Sequence, residues 1–185
     1  MFNKKELLTT CLYAVVIVIG ILITIGFYKK NMNVLHIVEH PDPTLRKVAE
    51  PIVHIDDSII SLTNDIISTL RYRALVDFFL ERSVPRGLAA PQVGIPKRLV
   101  VCGIHGRIKV MINPEILERR GTYIDHDDCM SVQKGNKTVI KRSAYVKVKY
   151  NTLGNKEEIL VVKNDYAALV EHEIDHLNGV LNIDY

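Results

Sequence analysis

The sequence predicts an α+β domain preceded by an N-terminal transmembrane helix. Three observations support this prediction: an uncharged apolar run near the N-terminus, periodic segments in the order helix, strands, helix, and an H-E-x-x-H motif on the last of these helices. A chain of 185 residues is long enough for one domain and a small additional segment. We therefore divide it into an anchor with basic flanks, residues 1–32, and a folded domain, residues 33–185.

The apolar run covers residues 7–28, which contain no charged side chain. As a helix it would be about 33 Å long, enough to cross the hydrocarbon core of a bilayer. A cleaved signal peptide is the alternative. Its apolar core is usually shorter, however, and no small-x-small cleavage site follows Tyr28. We expect an uncleaved membrane anchor.

The charge and the cysteines exclude two classes of protein. The net charge is +3, and residues 1–30 account for all of it with four Lys and one Glu, so the domain is neutral. No basic patch of the nucleic-acid-binding kind is evident. The chain contains three cysteines, an odd number, and one of them, Cys11, lies in the apolar run. This pattern indicates a reducing compartment and no disulfide framework.

The domain begins with an irregular segment followed by a helix. Residues 33–55 contain three prolines and are expected to form a loop with short extended pieces. From Asp56 onward, apolar residues recur at helical spacing. We expect Asp57 or Ser58 to cap this helix, which should end before Pro85 and form part of the core.

Antiparallel strands are expected in the middle of the domain, packed around a helix at its end. Alternating or continuous apolar runs predict strands at Arg98–Ile104, Arg107–Asn113, Tyr145–Tyr150 and Glu158–Lys163. Asn164 or Asp165 can cap the final helix, and Asn178-Gly179 can end it.

The final helix contains the H-E-x-x-H motif, His172 to His176. On a helix the two histidines lie one turn apart on the same face, close enough to bind one metal ion. Glu173 lies about 100° further round the helix, where a general base could take a proton from a water that the metal activates. A surface helix that contains two histidines by chance is the alternative.

A metal held by two histidines needs a third protein ligand. Nine residues follow His176; none is His or Glu, and only Asp184 could serve, so we expect the ligand upstream. Cys129 is the best candidate because it lies in a polar loop, whereas Cys102 lies inside an apolar strand. Two histidines and a cysteine leave a fourth position open, as in a catalytic site.

Three short motifs in this order resemble those of the peptide deformylase family. That family has G-x-G-x-A-A-x-Q, E-G-C-L-S and H-E-x-D-H; here they stand as residues 85–92, 127–131 and 172–176. The similarity extends over essentially all of residues 33–185. The chain departs from the motifs at Pro85, Asp127, Asp128 and Met130. Asp128 places bulk and charge beside the expected ligand cysteine.

The resemblance implies a metal-dependent hydrolase that removes the formyl group from N-terminal formyl-methionine and releases formate. It implies Fe²⁺ as the native metal, with Zn²⁺ as a less active substitute. Glu173 would transfer protons, while the Gln92 amide and the Met130 backbone N–H would stabilise the oxyanion. Gly87 would let the peptide lie against the backbone. Asp165 would face the substrate side chain, where relatives place an apolar residue.

The same resemblance implies N-formylated peptides as substrates and ribosome-associated nascent chains as partners. A thiolate ligand at Cys129 and a nascent substrate both favour a domain that faces the cytoplasm or the interior of an organelle. Two other functions stay open. One is a metallopeptidase or amidase of another kind. The other is a catalytically impaired relative that binds blocked N-termini, which the motif departures would explain.

Overall fold

The structure, a computed structural model, describes residues 4–132 and 138–185. Within these ranges the three α-helices are α1 (Lys4–Asn31), α2 (Asp57–Phe79) and α3 (Asp165–Leu177). The strands are β1 (Gly87–Ala89), β2 (Leu99–Ile104), β3 (Arg107–Arg120), β4 (Tyr123–Asp127), β5 (Thr138–Arg142), β6 (Tyr145–Asn151) and β7 (Glu157–Lys163). Short 3₁₀ turns occupy Pro43–Arg46, Ala90–Val93 and Asn182–Asp184.

The strands form two antiparallel sheets. Five strands pair in the order β1-β2-β3-β6-β7, and β4 pairs with β5 in a separate ribbon. The expected α+β class with antiparallel strands is therefore confirmed.

Strand β2 lies at the centre of the domain because its two faces are buried in two different cores. Val100 and Cys102 pack with the apolar side of α3, which presents Val170 and Ile174. Leu99 and Val101 face the other way and pack with α2. The residues of α2 in that core recur at helical spacing: Ile59, Leu62, Ile66 and Leu70. The five-stranded sheet thus separates the two helices, and Cys102 is a core residue as expected.

One predicted strand ended too early, and the strands of the ribbon β4–β5 were missed. Strand β3 extends to Arg120 rather than ending at Asn113. Two register shifts against β6 and the positive φ of Asn113 interrupt its side-chain alternation, which hides the strand from a pattern of period two. The ribbon β4–β5 was not predicted, because its exposed face and its charged residues give no continuous apolar pattern.

The helix ends are close to those expected, with one correction. Asp56, not Asp57 or Ser58, caps α2: its carboxylate accepts hydrogen bonds from the backbone N–H of Ser58 at 3.0 Å and of Ile59 at 3.1 Å. Asn164 is the N-cap residue of α3, but its side chain makes no capping hydrogen bond. Asn178 and Gly179 end α3 as predicted.

The N-terminal segment is a helix of 28 residues, α1. Its window Thr10–Phe27 has a mean hydropathy of 2.6 and none of it is buried against the domain. This helix is long and apolar enough to span a bilayer, and the crossing itself stays a prediction.

We predict that Gly179→Ala destabilises the domain more than Gly106→Ala. Both glycines have positive φ, +74° and +73°, so both substitutions introduce backbone strain of about 1–2 kcal/mol. A Cβ at position 179 would also lie 2.5 Å from the Arg46 carbonyl oxygen, whereas a Cβ at position 106 meets nothing within 4 Å. Urea denaturation of the full chain in detergent measures the difference. Equal losses would contradict the steric argument.

Candidate active site

Helix α3 turns its polar side toward the interior of the domain. His172 and His176 are 9% and 1% exposed, and their Nε2 atoms lie 3.1 Å apart. The two rings meet edge to face. The opposite side of α3 packs on the sheet, which fixes the rotation of the helix and therefore the direction of both imidazoles.

Cys129 approaches the two histidines from the loop that follows β4. Its Sγ lies 3.3 Å from His176 Nε2, and the three possible ligand atoms of Cys129, His172 and His176 all lie within 4.8 Å of one another. Leu45, Val132 and Leu181 bury the cysteine on its other side. The structure thus brings together the three residues that the sequence analysis selected.

This donor set fits a divalent metal ion. Bonds of about 2.0–2.3 Å in a tetrahedral arrangement separate neighbouring ligand atoms by roughly 3.4–3.6 Å, close to the separations found here. Burial opposes a charge on His172, but its hydrogen bonds to Asp127 and Cys129 outweigh that effect and raise its pKa. Burial, together with the neighbouring charge of His172, lowers the pKa of His176. His176 Nδ1 has no hydrogen-bond partner among the described residues.

A buried ion pair between Asp127 and Arg142 positions the imidazole ring of His172. The ring Nδ1 of His172 contacts the Asp127 carboxylate at 2.8 Å, and Asp127 also accepts a hydrogen bond of 2.7 Å from Arg142. Burial alone would raise the pKa of Asp127, but the bonds to His172 and Arg142 lower it to about 2. A carboxylate on Nδ1 keeps the proton there and leaves Nε2 free to act as a ligand.

The sequence analysis did not find this ion pair. Asp127 was noted as a departure from a motif that has Glu, yet its carboxylate makes the contact with His172. The sequence did offer a signal, because Asp127 retains the carboxylate of the Glu that the motif has at this position. Arg142 gave no clue, because only the pairing of β5 with β4 brings it to Asp127.

Glu173 is buried beside the histidines with little to stabilise its charge. It is 2% exposed, and its Oε2 has no hydrogen-bond partner among the described residues. Burial raises its pKa to about 7, and the charge of Asp127 contributes in the same direction. A carboxyl group of that pKa can both accept and return a proton near neutral pH.

Gly87 provides the space for Glu173. A Cβ built on Gly87 would lie 2.1 Å from Glu173 Oε1, so no other residue fits without displacing the carboxylate. The expected contact of Gly87 with substrate stays a prediction. The structure adds a different reason for glycine at this position.

Gln92 is held with its amide N–H₂ directed toward the cysteine. Its Oε1 accepts a hydrogen bond of 2.8 Å from the Ala89 backbone, and its Nε2 donates to Ser131 Oγ at 3.3 Å and to Cys129 Sγ at 3.8 Å. The 3₁₀ turn Ala90–Val93 places Gln92 at this point.

A cavity of about 460 Å³ opens over this group. Its lining includes six of the predicted site residues: Gly87, Gln92, Cys129, Met130, His172 and Glu173. Its rim is charged and includes Arg86, the half-buried Asp125 and the exposed Asp128.

Asp165 is not among the residues that line this cavity, and its expected effect on the substrate side chain stays a prediction. It lies at the start of α3, and its half-exposed carboxylate forms a bidentate ion pair with Arg86. That hydrogen bond lowers the pKa of Asp165. Leu169, one turn further along α3, lines the cavity instead. Any influence of Asp165 on substrate therefore acts through Arg86.

Comparison with known proteins gives a consistent result. The family model described as polypeptide deformylase matches residues 34–185. A peptide deformylase from Desulfotalea psychrophila is 34% identical over 160 residues, covering 83% of this chain and 88% of the relative. One from Nitrosococcus oceani is 35% identical over 157 residues, covering 83% of this chain and 87% of the relative.

Solved structures agree in fold. The peptide deformylase from Thermotoga maritima superposes with a TM-score of 0.71 at 34% identity, covering 82% of this chain and 96% of that one. The enzyme from Synechococcus elongatus, solved in complex with actinonin, gives a TM-score of 0.72 at 31% identity, with coverage of 83% and 79%. The match spans the whole folded domain and most of the length of these relatives, and the chain therefore belongs to the peptide deformylase family.

Proposed function

We propose that this chain removes the formyl group from the N-terminal formyl-methionine of nascent polypeptides and releases formate. The observation that supports this most is the convergence of Cys129, His172 and His176 beside the buried Glu173, in a chain of the deformylase family. The reaction needs an activated water, a proton carrier and a donor to the developing oxyanion, and the cavity has candidates for each.

Cys129, His172 and His176 would hold the metal on which deformylases depend. One thiolate and two imidazoles suit Fe²⁺ and Zn²⁺, and we propose Fe²⁺ as the native ion with Zn²⁺ as a substitute. When bound, the ion supplies a Lewis acid that makes water more acidic and polarises the formyl carbonyl.

The other residues act on protons and on charge. Glu173 takes the proton of the attacking water and delivers it to the leaving amine, consistent with its pKa of about 7. The Gln92 amide and the Met130 backbone N–H donate hydrogen bonds to the oxyanion that forms on the formyl carbon. Gly87 keeps Glu173 in place and leaves the backbone open to the peptide.

The deciding experiment uses the full chain in detergent, loaded anaerobically with Fe²⁺. We expect formate release from a formyl-Met-Ala-Ser peptide and no cleavage of the unblocked peptide. Internal cleavage of the unblocked peptide would indicate a metallopeptidase of another kind. Binding of the formyl peptide without formate release in a single turnover would indicate an impaired relative.

Replacing Glu173 by Gln should lower formate release at least about 10²-fold, because the general base is lost. Gln has nearly the shape of Glu, so the metal content should not change. Metal analysis and kinetics on the same preparation check both statements. Near-normal turnover would refute the assigned role.

Cys129→Ala should reduce the bound metal to well under one equivalent, since only two imidazole ligands remain. Cys102→Ala is the matched control: Cys102 is equally buried but lies in the core between sheet and helix, so that variant should retain its metal. Full metal content in the Cys129 variant would show that the ligand assignment is wrong.

The Arg86–Asp165 ion pair should adjust the preference of the cavity for charged peptides. Asp165→Asn leaves the charge of Arg86 unpaired at the rim. We expect kcat/KM for formyl-Met-Glu-Ser, relative to formyl-Met-Lys-Ser, to rise about two- to fivefold. Glu50→Gln, which breaks the exposed pair with Lys97 outside the cavity, should leave this ratio unchanged. An unchanged ratio in the Asp165 variant would show that Asp165 has no influence on the choice of substrate.

We further propose that residues 7–28 anchor the chain in a membrane, with residues 33–185 on the cytoplasmic side or in the interior of an organelle. The length and hydropathy of α1 support the anchor. The need for a reduced thiolate at Cys129 supports the orientation. Such an anchor would also hold the domain near ribosomes that work at the membrane.

The anchor and its orientation are tested separately. Alkaline carbonate should leave the protein in the membrane fraction, and protease added to intact spheroplasts should leave the domain uncut. Release by carbonate would refute the anchor. Digestion from outside would refute the orientation while leaving the anchor in place.

A further inference from the structure

An exposed apolar segment follows the end of α2. Its members are Phe78, Phe79, Leu80 and Val84, with exposures of 67%, 40%, 52% and 41%. We call them the α2-end segment. The rings of Phe78 and Phe79 contact each other, with centroids 5.5 Å apart. Exposed apolar side chains clustered at one place in a soluble domain usually mark an interaction surface.

The helix that ends in the α2-end segment passes the point where α1 joins the domain. The backbone N–H of Leu35 donates a hydrogen bond of 2.8 Å to Thr69 Oγ1 on α2, and α1 ends at Asn31. The four residue steps from Asn31 to Leu35 reach about 13 Å at most, so the end of the proposed anchor stays close to α2. Helix α1 does contact α2. From Thr69, α2 continues for about 15 Å to Phe79.

The charges near this patch are cationic on balance, which suits a phospholipid surface. Exposed cations stand at Lys30, at the end of α1, and at Arg71, on α2. Arg82, between Leu80 and Val84, pairs with the buried Asp77, and Glu81 is the exposed anion beside it. Aromatic and aliphatic side chains flanked by cations are typical of surfaces that enter the headgroup region, where the cations meet anionic lipids.

We propose that the α2-end segment docks into the headgroup region of the bilayer that α1 crosses. This inference rests on the proposed anchor. The occupant is the lipid surface rather than a second copy of the chain, because the patch lies at the end of the helix that contacts the anchor. Phe78, Phe79 and Leu80 would enter the interface.

Docking would also set the orientation of the cavity. Residues 81–87 line the cavity mouth and continue directly from Leu80 into β1. A segment held in the headgroup region would turn this mouth toward the membrane surface and restrain one of its walls. The enzyme would then act on peptide N-termini that lie at the membrane surface.

The chain contains no tryptophan, so one introduced indole gives an unambiguous fluorescent probe. We would reconstitute the full chain in nanodiscs of phosphatidylcholine and phosphatidylglycerol, with and without bromine on the acyl chains. Phe78→Trp places the probe in the α2-end segment. Ile159→Trp is the matched control, because Ile159 is also an exposed apolar residue, at 56%, but lies on β7.

We expect brominated lipid to quench the indole of the Phe78→Trp variant at least about twofold more than that of the Ile159→Trp variant, because docked side chains reach the boundary of the acyl chains. Adding Phe79→Ser and Leu80→Ser to the Phe78→Trp variant should remove most of this difference, although the anchor is still present. Circular dichroism of each variant checks that the domain is folded.

Each other outcome overturns the inference. Equal quenching at both positions in an anchored protein would show that the α2-end segment does not dock, and the anchor would stand. Absence of quenching together with dimers in detergent would assign the patch to a second copy. Release of the chain by alkaline carbonate would overturn both the anchor and the docking, while the formate assay would still decide the catalytic proposal independently.

Discussion

The buried polar side of α3 is the constraint on which the arrangement of the domain depends. Glu171, His172, Glu173 and His176 are all nearly inaccessible to water, on a helix whose other side is packed on a sheet. Buried charged groups are costly unless they are paired or hydrogen-bonded. The strands around α3, and the turn between β5 and β6, supply hydrogen-bond partners for Glu171 and His172. The backbone N–H of Ser143 bonds Glu171 at 2.7 Å, and Asp127 bonds His172.

Arg142 connects these partners to each other. Its guanidinium, buried with Asp127, also donates a hydrogen bond of 2.8 Å to Asp175 on α3. Breaking a buried pair of this kind by removing one partner costs about 3–5 kcal/mol. The ribbon β4–β5 therefore cannot move independently of α3. Because Cys129 follows β4 directly, the same ion pairs hold the cysteine beside the two histidines.

The sequence predicted the parts of the site that are set by local spacing. His172, Glu173 and His176 follow from helical geometry, and Cys129 follows from the chemistry of the missing ligand. The sequence did not predict the contacts that depend on strand pairing, such as that of Asp127 with Arg142. The ion pair of Asp165 was missed for the same reason: its partner, Arg86, is 79 residues away in the chain, and a motif comparison contains no information on that pairing.

Among these well-satisfied neighbours, two buried groups of α3 lack partners within the described part of the chain: His176 Nδ1 and Glu173 Oε2. An unpartnered buried acceptor or donor is unfavourable, and proteins retain such groups mainly where a ligand or a reaction uses them. The absence of a side chain at Gly87 leaves the space that the Glu173 carboxylate occupies. The domain thus holds a carboxyl group in a site where its proton is easily gained and lost. The surrounding ion pairs stabilise the fold that keeps this unpartnered carboxyl group buried.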